Sequence, residues 1–136
     1  MAAMQDRSPA ELFVLVAGVL LVALGTLGFF YNGTFTSNDG VHDDMLGVLS
    51  VNGWVNTLHL AAGALALAAR PSARVCALGL GVLFAALGIW GLALGEGSSV
   101  LGFLPLNTAD DVLYLAIGVA GVGAGAASPR SATVPA

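Results

Sequence analysis

Four long apolar stretches, separated by short polar ones, set the pattern of this chain. They predict helices over about residues 11–31, 51–69, 75–94 and 107–127. The first stretch carries no charge after Glu11, and about twenty apolar residues suffice to cross the roughly 30 Å hydrocarbon core of a bilayer. It ends in Phe29, Phe30 and Tyr31, an aromatic ending typical of a membrane surface. A cleaved signal peptide would have a shorter apolar part ending in small residues, so we expect a retained helix.

The segments between these helices are turns and loops. Arg70-Pro71 ends the second helix, because proline cannot continue it. Residues 45–51 are apolar but too short to span, so we expect them at the membrane interface or dipping into the protein. Residues 1–10 and 128–136 have the composition of disordered ends. The map predicts an all-α fold, a polytopic membrane four-helix bundle that forms one domain over residues 11–127.

Composition places this bundle in lipid. Of the 136 residues, 57% are hydrophobic and only 9% are charged, whereas a soluble domain keeps about a quarter of its residues charged. The mean hydropathy is +0.91. The net charge of −4 argues against nucleic acid as a partner, since phosphate binding needs clustered cations. A single Cys76 excludes an internal disulfide. Because so few residues are charged and so many are hydrophobic, the first expected partner is the lipid bilayer.

The placement of the charges predicts an orientation. With four spans, both termini and the turn after the second helix lie on one side, and all four cations fall there, namely Arg7, Arg70, Arg74 and Arg130. The other side carries only acids, namely Asp39, Asp43, Asp44, Glu96, Asp110 and Asp111. The positive-inside rule then places both termini in the cytoplasm. Abundant alanine and glycine, with arginine in place of lysine, are typical of a GC-rich bacterial genome. We therefore expect a multi-pass protein of the bacterial cytoplasmic (inner) membrane.

The chain also repeats itself. Residues 52–63, Asn-Gly-Trp-Val-Asn-Thr-Leu-His-Leu-Ala-Ala-Gly, return as residues 107–118, Asn-Thr-Ala-Asp-Asp-Val-Leu-Tyr-Leu-Ala-Ile-Gly. Residues 18–28 match residues 81–91 with seven identities in eleven. Each copy would contain two spans, so both copies must have the same orientation. We predict two tandem helical-hairpin repeats in parallel, not inverted, orientation.

Glycines recur at spacings of seven and four along the predicted helices. Small residues let helices approach closely in a membrane. We therefore predict helix packing at eight positions: Gly18, Gly25, Gly81, Gly88, Gly91, Gly95, Gly121 and Gly125. Packing within the bundle is preferred over an interface in a homo-oligomer.

Each copy places three polar side chains at i, i+4 and i+7 on one face of an apolar helix. With the neighbouring aspartate they form what we call the polar cluster: Asn52, Asn56, His59, Asn107, Asp110, Asp111 and Tyr114. An unpaired polar group in a bilayer is costly, so these side chains should face protein near the outer ends of helices two and four. Within the cluster we predict that His59 pairs with Asp111.

Two interpretations of the polar cluster remain open at this point. In the first it ties helix ends and outer loops together; in the second it binds a small ligand, a proton or a metal. One deep histidine without a second one at His-x-x-x-His spacing disfavours a metal site, and haem would lack a second ligand. His42 with Asp39, Asp43 and Asp44 could hold a weakly bound cation, although a solvated acidic loop is preferred. We predict no cofactor and no catalytic residue, because phosphate-loop, Ser-His-Asp and Cys-His patterns are missing from the sequence.

The chain resembles a bacterial family, domain of unknown function 4383, of small four-span membrane proteins common in actinobacteria. The resemblance lies in Leu-Gly-Val-Leu-Ser-Val-Asn at residues 46–52, in Asn56-Thr-Leu-His59-Leu with Gly63, and in Leu-Gly-Phe-Leu-Pro-Leu-Asn-Thr-Ala-Asp at residues 101–110. It covers about residues 10–127. The family often repeats Asn and His in the second half, where this chain has Asp111 and Tyr114, which weakens any site built on two symmetric histidines. The resemblance implies a four-helix membrane protein and supplies no activity.

The sequence thus predicts a small integral membrane protein of structural or accessory type, either a homo-oligomer or a subunit of a larger membrane complex. The alternative is a transporter, a channel or a carrier of a small ligand such as a lipid, a proton or an ion, which would use the polar cluster. A membrane enzyme or redox protein is the weakest hypothesis, because no nucleophile–base pair or full ligand set can be assembled.

Overall fold

Four α-helices and one short β-ribbon make up the structure. The computed structural model describes residues 6–35 and 42–130. Its elements are α1 (Pro9–Tyr31), β1 (Asp43–Met45), β2 (Leu49–Val51), α2 (Gly53–Ala68), a 3₁₀ turn (Arg70–Ser72), α3 (Ala73–Leu94) and α4 (Thr108–Ala127). The predicted helical fold is confirmed, and each helix begins and ends within two residues of the bounds expected from the apolar stretches.

Three of the described helical segments are long and apolar enough to cross a membrane. They are Pro9–Tyr31, Arg70–Leu94 and Thr108–Ala127, with mean hydropathies of 2.6, 2.2 and 1.3. The remaining helix, α2, has only 16 residues, or about 24 Å at 1.5 Å per residue. The structure therefore has three span-length helices and one shorter apolar helix, where the sequence predicted four spans.

Local capping explains why α1 begins earlier than predicted. The Ser8 hydroxyl accepts from the Glu11 backbone N–H at 3.2 Å, and the Glu11 carboxylate accepts from the Ser8 N–H at 2.7 Å. This capping box satisfies two of the N–H groups that a helix start leaves free. The Ser128 hydroxyl accepts from the Ala10 N–H at 2.8 Å. Ser8 and Ser128 are thus held in the fold although both segments were expected to be disordered; residues 1–5 and 131–136 lie outside the described part.

The helices pack mainly as two pairs, α1 with α2 and α3 with α4. Glycine makes this possible: a Cβ on Gly81 would lie 2.6 Å from the Val122 backbone nitrogen, and one on Gly118 would lie 2.5 Å from that of Ala85. At seven of the eight predicted packing glycines an added Cβ would lie less than 3.0 Å from backbone or side-chain atoms of another helix: Gly18, Gly25, Gly81, Gly88, Gly91, Gly121 and Gly125. The prediction for Gly95 is wrong, because no described residue lies within 4 Å of its Cβ position; with φ +80° it ends α3 instead.

The apolar segment expected at the membrane interface folds as a β-ribbon. In it β1 pairs antiparallel with β2, with Met45 opposite Leu49. Leu46 and Gly47 at its turn have positive φ angles of 55° and 68°. The sequence did not predict this ribbon, because seven residues with no alternating pattern do not signal a strand pair.

Arginines and most of the acids lie at opposite ends of the bundle, with Glu11 as an acid at the arginine end. Arg70, Arg74 and Arg130 line one open cavity of about 540 Å³, where the α2–α3 turn meets both chain ends of the bundle. Asp44 and Glu96 line a smaller cavity of about 280 Å³ beside the ribbon and the start of α4. We call the end of the bundle with the first cavity the arginine end and the end with the second cavity the acidic end.

Candidate functional site

The polar cluster lies at the start of α2 and α4, towards the acidic end, and almost all of it is buried. Six of its side chains are at most 3% exposed: Asn52, Asn56, His59, Asp110, Asp111 and Tyr114. Asn107 is half-buried. Buried polar groups in proteins are nearly always hydrogen-bonded, so each member should have a partner within the protein.

The two asparagines that precede α2 and α4 make reciprocal bonds, which we call the outer ties. Asn52 Nδ2 donates to the Phe103 carbonyl at 2.9 Å, and Asn107 Nδ2 donates to the Val48 carbonyl at 2.7 Å. Each side-chain oxygen at the same time caps its own helix. Each asparagine thus fixes the start of one helix to the outer loop that precedes the other.

The next member of each helix faces a glycine of the preceding helix. The Asn56 side chain occupies the space that a Cβ on Gly28 would need, and the Asp111 side chain does the same at Gly91. Asn56 Nδ2 also donates to the Asn32 carbonyl at 2.8 Å. These two side chains therefore point to α1 and α3 and do not meet between α2 and α4.

The deepest pair does meet between α2 and α4. A hydrogen bond of 2.6 Å joins His59 Nε2 to the Tyr114 hydroxyl. The Tyr114 ring also packs edge-on against Phe84, with ring centroids 4.9 Å apart. The predicted pairing of His59 with Asp111 is wrong: one further turn along α4, the tyrosine reaches across the bundle, whereas the aspartate is turned towards α3.

Asp110 is the most densely bonded acid of the cluster. Its Oδ2 accepts from the Ser50 backbone N–H and from the Asn107 N–H, both at 3.0 Å. The first bond fixes strand β2 to the start of α4, and the second completes a capping box. Sequence reasoning missed Ser50, because its contribution is a backbone N–H and carries no side-chain signal.

Four buried atoms of the cluster have no hydrogen-bond partner among the residues that the structure describes. They are Asn56 Oδ1, His59 Nδ1, Asp110 Oδ1 and Asp111 Oδ1. The same four residues form hydrogen bonds within the bundle through other side-chain atoms or through their backbone groups. They are the places where a proton or a small polar ligand would find a partner.

The acidic end itself is a loop surface. Hydrogen bonds from the hydroxyl and the backbone N–H of Thr108 to Glu96 lower the pKa of that carboxyl. Asp43 accepts from Asn32 Nδ2 at 3.1 Å, whereas Asp39 lies outside the described residues. Across residues 6–35 and 42–130, no group of three or more His, Cys, Asp or Glu side chains is placed to hold a metal ion.

Sequence reasoning also missed three glycines on which the site depends. Gly28 accommodates Asn56, and Gly63 and Gly118 bring α2 and α4 against α1 and α3. The repeat carried the signal: Gly28 aligns with Gly91, which was predicted, and residues 63 and 118 are aligned glycines of the two copies.

The His59–Tyr114 bond leads to a first testable prediction. Tyr114→Phe should lower the free energy of unfolding by about 1–2 kcal/mol, because it leaves His59 Nε2 buried without a partner. The double variant His59→Phe, Tyr114→Phe should regain most of that loss, since removing both partners leaves no polar atom unsatisfied. Titration of detergent-solubilised protein with SDS, followed by circular dichroism, measures both. Equal stability of Tyr114→Phe and the unchanged protein would show that the bond contributes nothing.

Apolar helices of membrane-spanning length, with apolar side chains exposed along them and polar ones turned inward, define a membrane-embedded helical protein. Within that class, residues 11–127 match the family described as Domain of unknown function (DUF4383). The match covers most of the chain, and the chain belongs to this family, as its motifs indicated. No curated protein and no solved structure matches it.

Proposed function

We propose that this protein is a small integral membrane protein of structural or accessory type, in which the polar cluster holds the bundle together. One observation carries the proposal: in the outer ties and the His59–Tyr114 bond, polar groups of the cluster form hydrogen bonds with other groups of the same chain. A substrate site would instead present several such groups to a cavity. The cavities at the arginine and acidic ends and between α1 and α4 are not lined by His59, Tyr114 or Asp111. Asn107 lines the cavity at the acidic end.

We further propose that the bundle consists of two tandem helical hairpins in parallel orientation. Contacts recur at matching positions: Gly18 approaches the Gly63 carbonyl as Gly81 approaches the Gly118 carbonyl. The ribbon turn recurs as well, since Leu101 has a φ of 56° like Leu46. The outer ties obey the same relation, because Val48 and Phe103 are separated by the same 55 positions as Asn52 and Asn107.

In the proposed orientation all four helices cross the bacterial cytoplasmic membrane, with both termini in the cytoplasm. The separation of the arginine end from the acidic end supports this arrangement. The short α2 would cross the membrane together with the β-ribbon, which extends the outer end of this helix. Met45 and Val51 of the ribbon are buried there. The protein would act as a homo-oligomer or as a subunit of a larger membrane complex.

The outer ties give a direct test of the structural role. Asn→Ser keeps an N-capping oxygen at each site, because serine and asparagine cap helices about equally well, but it cannot reach the opposite carbonyl. Asn52→Ser and Asn107→Ser should each lower the free energy of unfolding by about 1 kcal/mol, measured by SDS titration. The matched control is Ser8→Asn, which changes the same residue types at a cap without an outer tie. If both variants have the same free energy of unfolding as the control, the outer ties do not contribute to stability.

A second candidate function, proton or ion handling, is favoured by one observation: the buried Asp111 Oδ1 and His59 Nδ1 have no partner among the described residues. Asp111→Asn with His59→Ala separates the two functions. The structural proposal predicts a less stable protein without any flux lost from liposomes. A proton or cation flux that the unchanged protein supports and the double variant abolishes, at equal reconstituted amounts, would replace it with the transport function.

A further inference from the structure

The arginine end contains a cavity whose lining charges are mostly positive. Three of the four cations of the chain line its roughly 540 Å³: Arg70, Arg74 and Arg130. Among the described residues the only acid that lines it is Glu11, and one oxygen of that carboxylate already accepts from the Ser8 N–H. Three guanidinium groups and one carboxylate leave a net charge of +2 around the cavity. This charge attracts an anion, and phosphate oxygens fit the guanidinium fork.

Two details of this arginine cavity point to a missing acceptor. Arg74 Nε is buried and has no hydrogen-bond partner among the described residues, and an unsatisfied buried donor is costly. The first turn of α3 also lines the cavity, and its N-cap residue Ser72 makes no side-chain capping bond. Its N–H groups and the positive end of the α3 dipole add to the attraction for an anion.

An apolar groove begins beside the arginine cavity and runs between α1 and α4. Its first part, about 510 Å³, starts at Pro9 and Ala124, each within four residues of Ser8 and Ser128 in the arginine cavity. Its second part, about 850 Å³, reaches Leu24 and the β-ribbon. Leu20, Leu113 and Ala116 line both parts, so they form one continuous α1–α4 groove.

We propose that this protein binds an anionic phospholipid, with its phosphate among the three arginines and one acyl chain in the α1–α4 groove. From Pro9 to Leu24 the groove extends over about 22 Å at 1.5 Å per residue, longer than the roughly 15 Å of hydrocarbon in one leaflet. Basic pockets at the cytoplasmic ends of membrane helices hold anionic headgroups in this way. The site lies at the opposite end from the polar cluster, so it does not depend on the structural role proposed above.

A phospholipid would occupy both the arginine cavity and the α1–α4 groove. A free anion or a neighbouring helix would occupy only one of them. A free phosphate would use the arginines and leave the groove without an occupant. A helix of a second copy would fill the groove but would bring no acceptor for Arg74. The combination of a cationic cavity and an adjoining apolar groove is therefore what selects a phospholipid.

The headgroup half of the site is tested with native mass spectrometry of the full chain in neutral detergent. Phosphatidylglycerol should bind more tightly than phosphatidylcholine. Each arginine near a headgroup contributes roughly a factor of five, so Arg74→Gln with Arg130→Gln should weaken phosphatidylglycerol binding about 25-fold and leave phosphatidylcholine binding unchanged. Arg7 does not line the arginine cavity but acts electrostatically on Glu11 there, so the control Arg7→Gln should weaken binding by less than about fivefold. An SDS titration checks that each variant is folded. Equal affinity for the two lipids, or no effect of the arginine changes, overturns the proposal.

The groove half is tested with a bulky side chain at an exposed position. Ala116→Trp should fill the groove and weaken phosphatidylglycerol binding at least about tenfold, whereas Val119→Trp, exposed on α4 but outside the groove, should not. Inorganic phosphate, titrated by calorimetry, should bind far more weakly than the lipid. If it binds as tightly and Ala116→Trp changes nothing, the site is a phosphate site and the lipid proposal fails. If Ala116→Trp changes the oligomeric state and not lipid binding, the groove is a contact between copies, which also overturns it.

Discussion

Gly81→Ala is expected to lower the free energy of unfolding by about 2–3 kcal/mol. The added Cβ would lie 2.6 Å from the Val122 backbone nitrogen and 2.9 Å from the Gly118 carbonyl oxygen. Backbone atoms cannot rotate away as a side chain can, so α3 and α4 must move apart. Overpacking of this kind costs about 1–3 kcal/mol, and a contact with backbone places the effect at the upper end. SDS titration followed by circular dichroism measures the loss.

The same helix supplies the matched control. Gly79 lies two residues earlier and is exposed, and across residues 6–35 and 42–130 no atom outside its own helix backbone would lie within 4 Å of an added Cβ. Gly79→Ala should therefore be neutral or should stabilise the helix by up to about 1 kcal/mol, as expected from helix propensity. If the two alanine variants have the same stability, α3 and α4 do not pack as closely as the structure places them.

The helices of this fold could be predicted from the sequence because lipid imposes a simple requirement. A span must be long and apolar, and that property is visible in any window of about twenty residues. The approximate bounds of α1 and α4 followed from it. The length of α2 did not, because Val51 is apolar and reads as helix, whereas in the structure it pairs with Asp43 in the ribbon. Local hydropathy cannot distinguish these two uses of an apolar residue.

The residues of the candidate site could be predicted, but not their partners. Burial of scarce polar groups in lipid is costly enough to select Asn52, His59 and Tyr114 without a structure. Which of them meet depends on the rotation of α2 and α4 about their axes, which no sequence pattern reports. The partners also include carbonyl groups, such as that of Phe103, and every residue has one. The wrong pairing of His59 followed from treating the acid as the natural partner of a histidine.

Gly95 shows that a glycine spacing alone does not establish a contact between helices. Its spacing of four from Gly91 is the pattern of a close helix contact. The helix ends there, however, and glycine is used for its positive φ rather than for its size. A small-residue pattern near a helix end therefore has two explanations, and only the length of the helix separates them.

Asp110→Ala should cause a second large loss, about 3 kcal/mol of unfolding free energy. It would leave the buried Ser50 N–H without its acceptor, at a cost of about 1–3 kcal/mol. It would also remove half of the capping box at the start of α4, worth about 1 kcal/mol. Because Ser50 belongs to β2, this strand should separate locally from α4, while the Asn107–Val48 bond still holds the ribbon turn. SDS titration measures the stability, and hydrogen exchange at Ser50 reports the local detachment.

Two control variants separate this bond from a general effect of removing an acid. Asp44 accepts from the hydroxyl of the same serine at 3.1 Å but is exposed, so Asp44→Ala should change the stability by no more than about 0.5 kcal/mol. Asp110→Asn keeps an oxygen that can accept from Ser50, and it should retain most of the stability and the slow exchange. If Asp110→Ala exchanges as slowly at Ser50 as Asp110→Asn does, the carboxylate does not hold the ribbon. The ribbon would then be fixed to the bundle by the apolar burial of Met45 and Val51 together with the Asn107–Val48 bond.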